Sequence, residues 1–344
     1  MSRLALFTRY DSLGASSRLR FRQFIPFMEK AGFEVAYFPF FDDGYLENLY
    51  AGKKRNWQQI AAAYGRRIRD MRTLPPGTAC LIEYELLPFL PFFAESVFLK
   101  KHPYILNFDD AVDLHYARIP LLKNKYPRLI TNAAGIITAN ELLTGKFGGY
   151  NPQLLKLPTV PPETIKPGKN KPEKLTLVWT GTPVTYQFLL QRHEALLLAG
   201  RKTDFELLIV GGDPTRPLSG VNCRYIRWSE TAEAEALSAA HAGIMPLPDT
   251  PFARGKSAYK LLCYLRAGIP GIASPVGENC RVITGNVNGF LVQSDEEWAE
   301  AITALNDPSC REKLSAGAIL SGEKYLPETA AEQLCRFIRE RVFN

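Results

Sequence analysis

No stretch of this 344-residue chain is apolar for long enough to cross a bilayer. The longest such run, residues 86–99, is broken by Pro88, Pro91 and Glu95. It falls short of the ~20 residues a spanning helix needs. The opening MSRLALFTRYDSLG holds too short an apolar run for a secretory leader and no small-residue cleavage site. Paired cysteines are missing as well. Cys80, Cys223, Cys263, Cys280, Cys310 and Cys335 are scattered, with no C-x-x-C pair and no histidine at ligand spacing. That pattern argues against a disulfide framework or zinc site and for reduced thiols in the cytoplasm. No G-x-G-x-x-G follows the first strand of either half, which disfavours a dehydrogenase. The basic clusters lack any helix-turn-helix, finger or aromatic-platform pattern, so a nucleic-acid partner is not expected.

What the chain has is length enough for two domains and a 46% hydrophobic fraction suited to sizeable cores. Its net charge of +7 is uneven: residues 1–160 carry 21 Lys and Arg against 14 Asp and Glu, and the remainder carries 21 of each. The basic clusters are Arg18/Arg20/Arg22, Lys53/Lys54/Arg55 and Arg66/Arg67/Arg69/Arg72. Such a half suits an anionic surface or substrate, and equally solvated helix faces with no partner. Within 86–99, Phe89, Leu90, Phe92, Phe93, Val97 and Phe98, with Lys100 and Lys101 at the edge, fit an interfacial membrane face. For a helix this apolar, packing in the core is the stronger expectation.

Apolar β-type runs at 4–8, 34–38, 79–82, 104–107 and 135–138 alternate with helical patterns at 17–31, 57–71, 87–101, 123–134 and 141–147. A Pro- and Lys-rich stretch over 157–172 interrupts the alternation. It restarts with runs at 175–179, 205–210, 224–226, 243–245, 271–273 and 289–292. The pattern predicts two doubly wound parallel sheets of Rossmann type, with ligands at the carboxyl ends of the strands in a cleft between the domains. The expected division is 1–160, a linker over 161–174, a second domain over 175–326 and a terminal helix within 327–344.

The most specific stretch is PDTPFARGKSAYKLLCYLRAGIPGIASPVGEN, residues 248–279. A cation-bearing loop leads into a helix over 257–267, stopped by Gly268 and Pro270, and then into a strand at 271–273 and a second loop from Ser274. A helix start carrying Arg254, Lys256 and Lys260 suits an anion, a phosphate first of all. In the first half, Gly14, Ser16 and Ser17 precede a helix and could meet an oxyanion or sugar; Ser16 reads equally as an N-cap. Asp109, Asp110 and Asp113 form the one acidic cluster. A metal site there is disfavoured because nothing completes a ligand shell, which leaves a hydrogen-bonding or base role or helix capping.

These residues resemble a glycosyltransferase of the GT-B fold, similar to family 4 of the retaining enzymes and to a bacterial branch found among cell-surface polysaccharide genes. The resemblance is carried by residues 16–24, 108–112 and 178–182, and above all by 245–249, 254–260, 267–270 and 274–277. It implies two Rossmann-like domains facing a cleft and a terminal helix that returns to the first. It also implies a cytoplasmic enzyme, with peripheral contact at the inner membrane face as a further expectation, that moves a hexose-type sugar from a nucleotide-diphosphate donor to a glycan or lipid-linked acceptor. No metal and no cofactor beyond the sugar nucleotide are implied.

By the same resemblance Lys256, Arg254 and Asp110 carry the chemistry. Gly181, Thr182, Lys256, Tyr259, Lys260, Cys263, Gly277, Glu278 and Asn279 meet the donor, and Gly14, Ser16, Ser17 and Arg18 form the acceptor-side loop. Two departures stand out. The E-x7-E glutamates of many members fall here on Arg254 or Gly255 and on Cys263. The Arg and Lys that often follow the first strand of the second domain are missing after Gly181. A sugar-nucleotide epimerase of the same fold and a non-catalytic binding relative are the alternatives.

Overall fold

The computed structural model describes residues 2–343. They fall into two compact units. One takes the chain up to Thr159 and again from Pro327, and the other is Val160–Leu326. Each unit is built on one six-stranded, wholly parallel sheet.

In the first unit the strands are β1 (Ser2–Thr8), β2 (Phe33–Pro39), β3 (Ala79–Glu83), β4 (Tyr104–Phe108), β5 (Gly135–Thr138) and β6 (Leu154–Lys156), in the order β2-β1-β3-β4-β5-β6. Every residue of β3, β4 and β5 is buried, as expected where helices cover both faces of a parallel sheet. Phe7, Ile82, Leu106, Phe108 and Ile136 belong to that core.

The second unit contains β7 (Leu175–Thr180), β8 (Phe205–Val210), β9 (Cys223–Ile226), β10 (Ala242–Met245), β11 (Gly271–Ala273) and β12 (Gly289–Leu291), in the order β12-β11-β10-β7-β8-β9. Counted from β7, this is the 3-2-1-4-5-6 order of a dinucleotide-binding sheet. Residues of the expected linker pack into this unit: Ile165 joins its core, and a Cβ on Gly168 would lie 2.0 Å from the Ser238 carbonyl oxygen.

Two expected helices change form. The one over 17–31 is broken into Ala15–Arg20, a single 3-10 turn at Arg22–Phe24, and Ile25–Lys30. Phe21 leaves the helical region, and Pro26, which has no N–H, opens the next helix. The helix over 87–101 shortens to Phe93–Leu99, because Pro88, Pro91 and the left-handed Phe89 (φ 58°) hold the preceding residues in a loop. A helix at Asp43–Tyr50, capped by the Asp42 carboxylate, and strand β6 arise where the hydrophobic pattern is too short to announce them.

The helix Pro327–Val342 packs on the first unit. Leu334 and Ile338 are buried, Phe337 fills the space over Gly135, and Phe343 meets Phe33 with ring centroids 5.7 Å apart. A Cβ on Gly135 would lie 2.8 Å from the Phe337 ring, so only glycine admits the helix this closely.

Candidate functional site

In the second sheet the winding direction reverses between β7 and β10, and ligands of open parallel sheets bind beyond the carboxyl ends of such strands. Gly181 and Thr182 leave β7 there, and the loop from Pro246 to Ala258 leaves β10. Gly181 is pressed against its surroundings. A Cβ would lie 2.5 Å from the Trp179 ring, and Gly211 (φ 76°) approaches the Gly181 carbonyl so closely that its own Cβ would lie 2.2 Å away. The Thr182 N–H donates to the Thr185 hydroxyl (3.1 Å), so Thr182 opens the helix Pro183–Leu190. The ammonium of Lys260 lies 5.6 Å from the Trp179 ring centroid, which brings Lys260 to the same corner as Gly181.

The loop after β10 contains a one-turn helix, Pro251–Arg254, capped by the Thr250 hydroxyl (3.2 Å from Ala253 N). The main helix begins at Tyr259, behind a left-handed Ala258 (φ 54°). Two contacts tie this loop to the one that follows β11. Leu247 N donates to Ser274 Oγ (3.0 Å), and Gly277 (φ 58°) presses on the backbone of Arg254. A Cβ on Gly277 would lie 2.6 Å from the Arg254 carbonyl oxygen. Gly277 therefore serves by having no side chain.

The cations differ in what they already hold. Arg254 is exposed and makes two bonds to the Asp249 carboxylate, at 2.5 and 2.8 Å. Lys256 is half-buried, and its ammonium lies 4.8 Å from the Phe252 ring centroid; among the described residues it has no carboxylate partner. Tyr259 and Glu278 are half-buried at the same two loops. Two expected donor contacts need correcting. Cys263 has no exposed surface and lies in the hydrophobic core, because its helix buries every side from Leu261 to Leu265. Asn279 is also buried and spends its side-chain N–H on the Ser274 carbonyl (3.0 Å), bracing the loop from within.

The first unit gathers a second cluster beyond the carboxyl ends of β1, β3 and β4. The Ser17 hydroxyl is fully buried; it donates to Glu83 (2.6 Å) and accepts from Tyr10 N (3.0 Å), so it is unavailable to a ligand. Gly14, not Ser16, is the N-cap residue, and a Cβ there would lie 2.4 Å from Tyr10 Cβ. Ser16 donates instead to Asp109 (2.5 Å), whose other oxygen accepts from the Tyr84 hydroxyl. Arg18 donates to the Ser12 carbonyl (3.0 Å). Asp110, next to the locked Asp109, is half-buried, and Asp113 pairs with Lys146. Among the described residues no group of three or more His, Cys, Asp and Glu is arranged to hold a metal ion.

Three buried polar side chains, Glu83, Arg20 and Asn107, lie on or beside the same strand ends; Glu83 and Asn107 are not among the expected site residues, and Arg20, expected in a basic cluster facing solvent or an anion, is buried instead. Arg20 Nε donates to Asn107 (2.6 Å), and its Nη1 to the Leu157 carbonyl (2.9 Å) and Thr159 (3.0 Å). The available signal was a lone polar or charged residue closing or nearly closing an apolar strand, as in ACLIE and YILNF. Burial pushes the Glu83 carboxyl up to about 7, against the opposing hydrogen bonds from Ser17 and Arg9 N. The folded state therefore holds a proton that the unfolded chain has released. Stability from this group is complete below the ordinary carboxyl value and falls as pH rises toward neutrality. Glu83→Gln, whose amide oxygen can accept the same two bonds, is expected to flatten that fall between about pH 5 and about pH 7. Urea titrations at each pH test this, and an unchanged slope in the variant overturns it.

Deeper in the first unit, the fully buried Lys125 ammonium sits between Glu85 (2.6 Å) and Glu95 (2.5 Å) and donates to the Leu87 carbonyl (2.7 Å). Glu95 also accepts from Leu86 N (3.0 Å) and Leu87 N (3.2 Å). Tyr116 donates to Glu85 at 2.6 Å. This knot fixes the loop between β3 and the Phe93–Leu99 helix. A cavity of about 500 Å³ lies elsewhere in the unit, at the amino end of β4.

Residues 175–307 match the family model described as glycosyl transferases group 1. No curated protein matches the chain. Among solved structures, sucrose-phosphate synthase from Thermosynechococcus elongatus is similar over 99% of both chains, at 15% identity and a TM-score of 0.72. Anabaena HepE, solved with UDP and glucose, is similar over 99% of this chain and 100% of its own, at 10% identity and a TM-score of 0.71. The pneumococcal O-GlcNAc transferase GtfA, solved with UDP and GlcNAc, is similar over 82% of this chain and 60% of its own, at 13% identity and a TM-score of 0.63. The two parallel six-stranded sheets are those of the GT-B fold.

Proposed function

We propose that this glycosyltransferase takes a sugar from a nucleotide-diphosphate donor held by the second unit and transfers it to a glycan or lipid-linked acceptor. We further propose that it retains the anomeric configuration and uses no metal or cofactor. One observation carries the reading: Lys256, a cation with no carboxylate partner among the described residues, stands where two loops are locked together beyond the switch point of a dinucleotide-type sheet. A departing nucleoside diphosphate gains negative charge as the glycosidic bond breaks, and a fixed cation beside it lowers that barrier.

In this reading Lys256 carries most of the charge stabilisation, with Lys260 at the Trp179 corner as the second cation. Arg254 acts through Asp249, shaping the loop more than meeting the phosphate. Gly181 and Gly277 let backbone approach closely, and Glu278 faces the sugar. On the first unit, Asp110 and Ser16 lie at strand ends suited to an acceptor hydroxyl.

The test is to incubate the protein with a panel of sugar nucleotides, with and without candidate acceptors. Free nucleotide and the anomeric configuration of the product are then measured by chromatography and NMR. Acceptor-dependent nucleotide release with the donor's configuration kept is the expected result. An altered sugar nucleotide, or binding with no turnover under any acceptor, overturns it.

A further inference from the structure

The cavity of about 500 Å³ in the first unit takes no part in the chemistry proposed above. It lies at the amino end of β4, whereas Ser16 and Asp109 meet beyond the carboxyl ends of the same sheet. β4 is five residues long, which puts roughly 15 Å of strand between the two places. One wall comes from the helix Phe93–Leu99 and the turn that follows it. That helix buries Glu95 and Leu99 and leaves Phe93 and Val97 exposed, so the apolar run of 86–99 is core only in part. The other wall is the segment 132–134 that leads into β5. The volume is that of a small-molecule site.

No Asp or Glu lines this cavity. Lys100 and Lys101 do; both are exposed, and neither has a carboxylate partner among the described residues. His102 beside them is only 4% exposed, and its ring stacks on Phe98 with centroids 4.3 Å apart. Its Nδ1 lies 3.1 Å from the Thr78 carbonyl oxygen, which can only accept, so Nδ1 carries the proton. Burial holds the imidazole below its ordinary pKa, against the Thr78 bond and with help from the Lys101 charge. The ring is therefore neutral near pH 7, and Nε2 is an acceptor with no partner among the described residues. Asn132 and Ser96 add acceptors of the same kind. Asn132 Nδ2 donates to the Arg128 carbonyl (2.8 Å), which leaves its side-chain oxygen to accept. The Ser96 hydroxyl donates to the Phe93 carbonyl (3.1 Å), which leaves its lone pairs.

We propose that this cavity binds a monosaccharide phosphate. Lys100 and Lys101 hold the phosphate, and His102 Nε2, Asn132 Oδ1 and Ser96 Oγ accept from the sugar hydroxyls, with Phe92 as an apolar wall. Two cations beside three lone-pair acceptors ask for a ligand with an anionic group at one end and hydroxyl donors at the other. A nucleobase brings acceptors of its own and would meet acceptors. Inorganic phosphate leaves the histidine and asparagine unanswered, and a free sugar leaves the lysines so. The inference goes beyond the function proposed above and does not depend on it.

Calorimetric titration of the full chain with glucose 1-phosphate, glucose 6-phosphate and mannose 6-phosphate, against glucose and inorganic phosphate, tests the proposal. At least one sugar phosphate is expected to bind about tenfold tighter or more than glucose or phosphate. Lys100→Gln/Lys101→Gln alters two exposed side chains and should fold as wild type does; it is expected to weaken that binding by about tenfold or more. Hydrogen exchange should slow on binding over residues 92–104 and 132–134 and stay unchanged over 248–279. Failure of all three sugar phosphates to bind, equal affinity for inorganic phosphate, or a glutamine variant that binds as tightly overturns the proposal. So does displacement by UDP, or protection confined to 248–279, because the ligand would then occupy the donor site. A chain that binds a sugar phosphate here but releases no nucleotide from any donor leaves this site standing and removes the function proposed above.

Discussion

Lys256→Ala is expected to lower kcat/KM for sugar transfer by about a hundredfold to a thousandfold, the range found when one group stabilising transition-state charge is removed. The size follows from how the cations of this loop are occupied. Arg254 is exposed and committed to Asp249 through two hydrogen bonds, so most of its charge is already answered. Among the described residues the Lys256 ammonium makes only a ring contact with Phe252, and it is half-buried, where water screens it less. Arg254→Ala should accordingly do less harm than Lys256→Ala. Lys256→Arg should recover part of the loss, since the charge returns on a head of different shape. Steady-state kinetics and calorimetric nucleotide binding check this. Wild-type kcat/KM in Lys256→Ala would remove the residue from the mechanism.

The largest effect on stability is expected at Lys125. Its ammonium has no exposed surface and holds two buried carboxylates. Lys125→Met keeps an apolar stem of similar length but leaves Glu95 without a cation and Glu85 with Arg9 alone (3.3 Å). Removing one partner of a buried ion pair typically costs about 3–5 kcal/mol. Burial already raises the Glu95 carboxyl above its usual range, with Lys125 pulling it down, so losing Lys125 raises it further. A raised carboxyl favours the protonated folded state. The penalty should therefore be greatest at alkaline pH and shrink as the pH falls. Adding Glu95→Gln to Lys125→Met should restore part of the stability at neutral pH. Urea denaturation of the three proteins at acid and neutral pH checks the pattern; a pH-independent loss would mean that packing, not charge, is what Lys125 supplies.

How far these features could be read from sequence depends on the distance over which each is decided. Strand β8 and the helix Pro327–Val342 match their expected bounds because local patterning alone defines them. The helix expected over 87–101 fails at its start for two reasons: Pro88 and Pro91 break it locally, and the loop's form is held by Tyr64, Tyr116 and Lys125, up to 38 residues away. The same holds at the sites. The two loops carrying Arg254, Lys256 and Gly277 stand out in one continuous stretch of sequence, whereas the Ser17–Glu83 bond spans 66 residues and the Arg20–Asn107 bond 87. Cys263 shows the opposite difficulty. Its helix is apolar on several faces, so periodicity does not say which side meets solvent, and the core claims it.

The return of Pro327–Val342 to the first unit has a consequence for how the chain is made. The sheet of β1 to β6 is synthesised early, yet the side chains that close over Gly135 and Phe33 come last. All of Val160–Leu326 must leave the ribosome in between, which at ordinary elongation rates takes roughly 10–30 s. During that interval the second unit, contiguous in sequence, can fold alone, while the first waits with an apolar face uncovered. A nascent chain stalled before Pro327 should therefore bind chaperones that recognise exposed apolar surface, and release them once the last helix emerges.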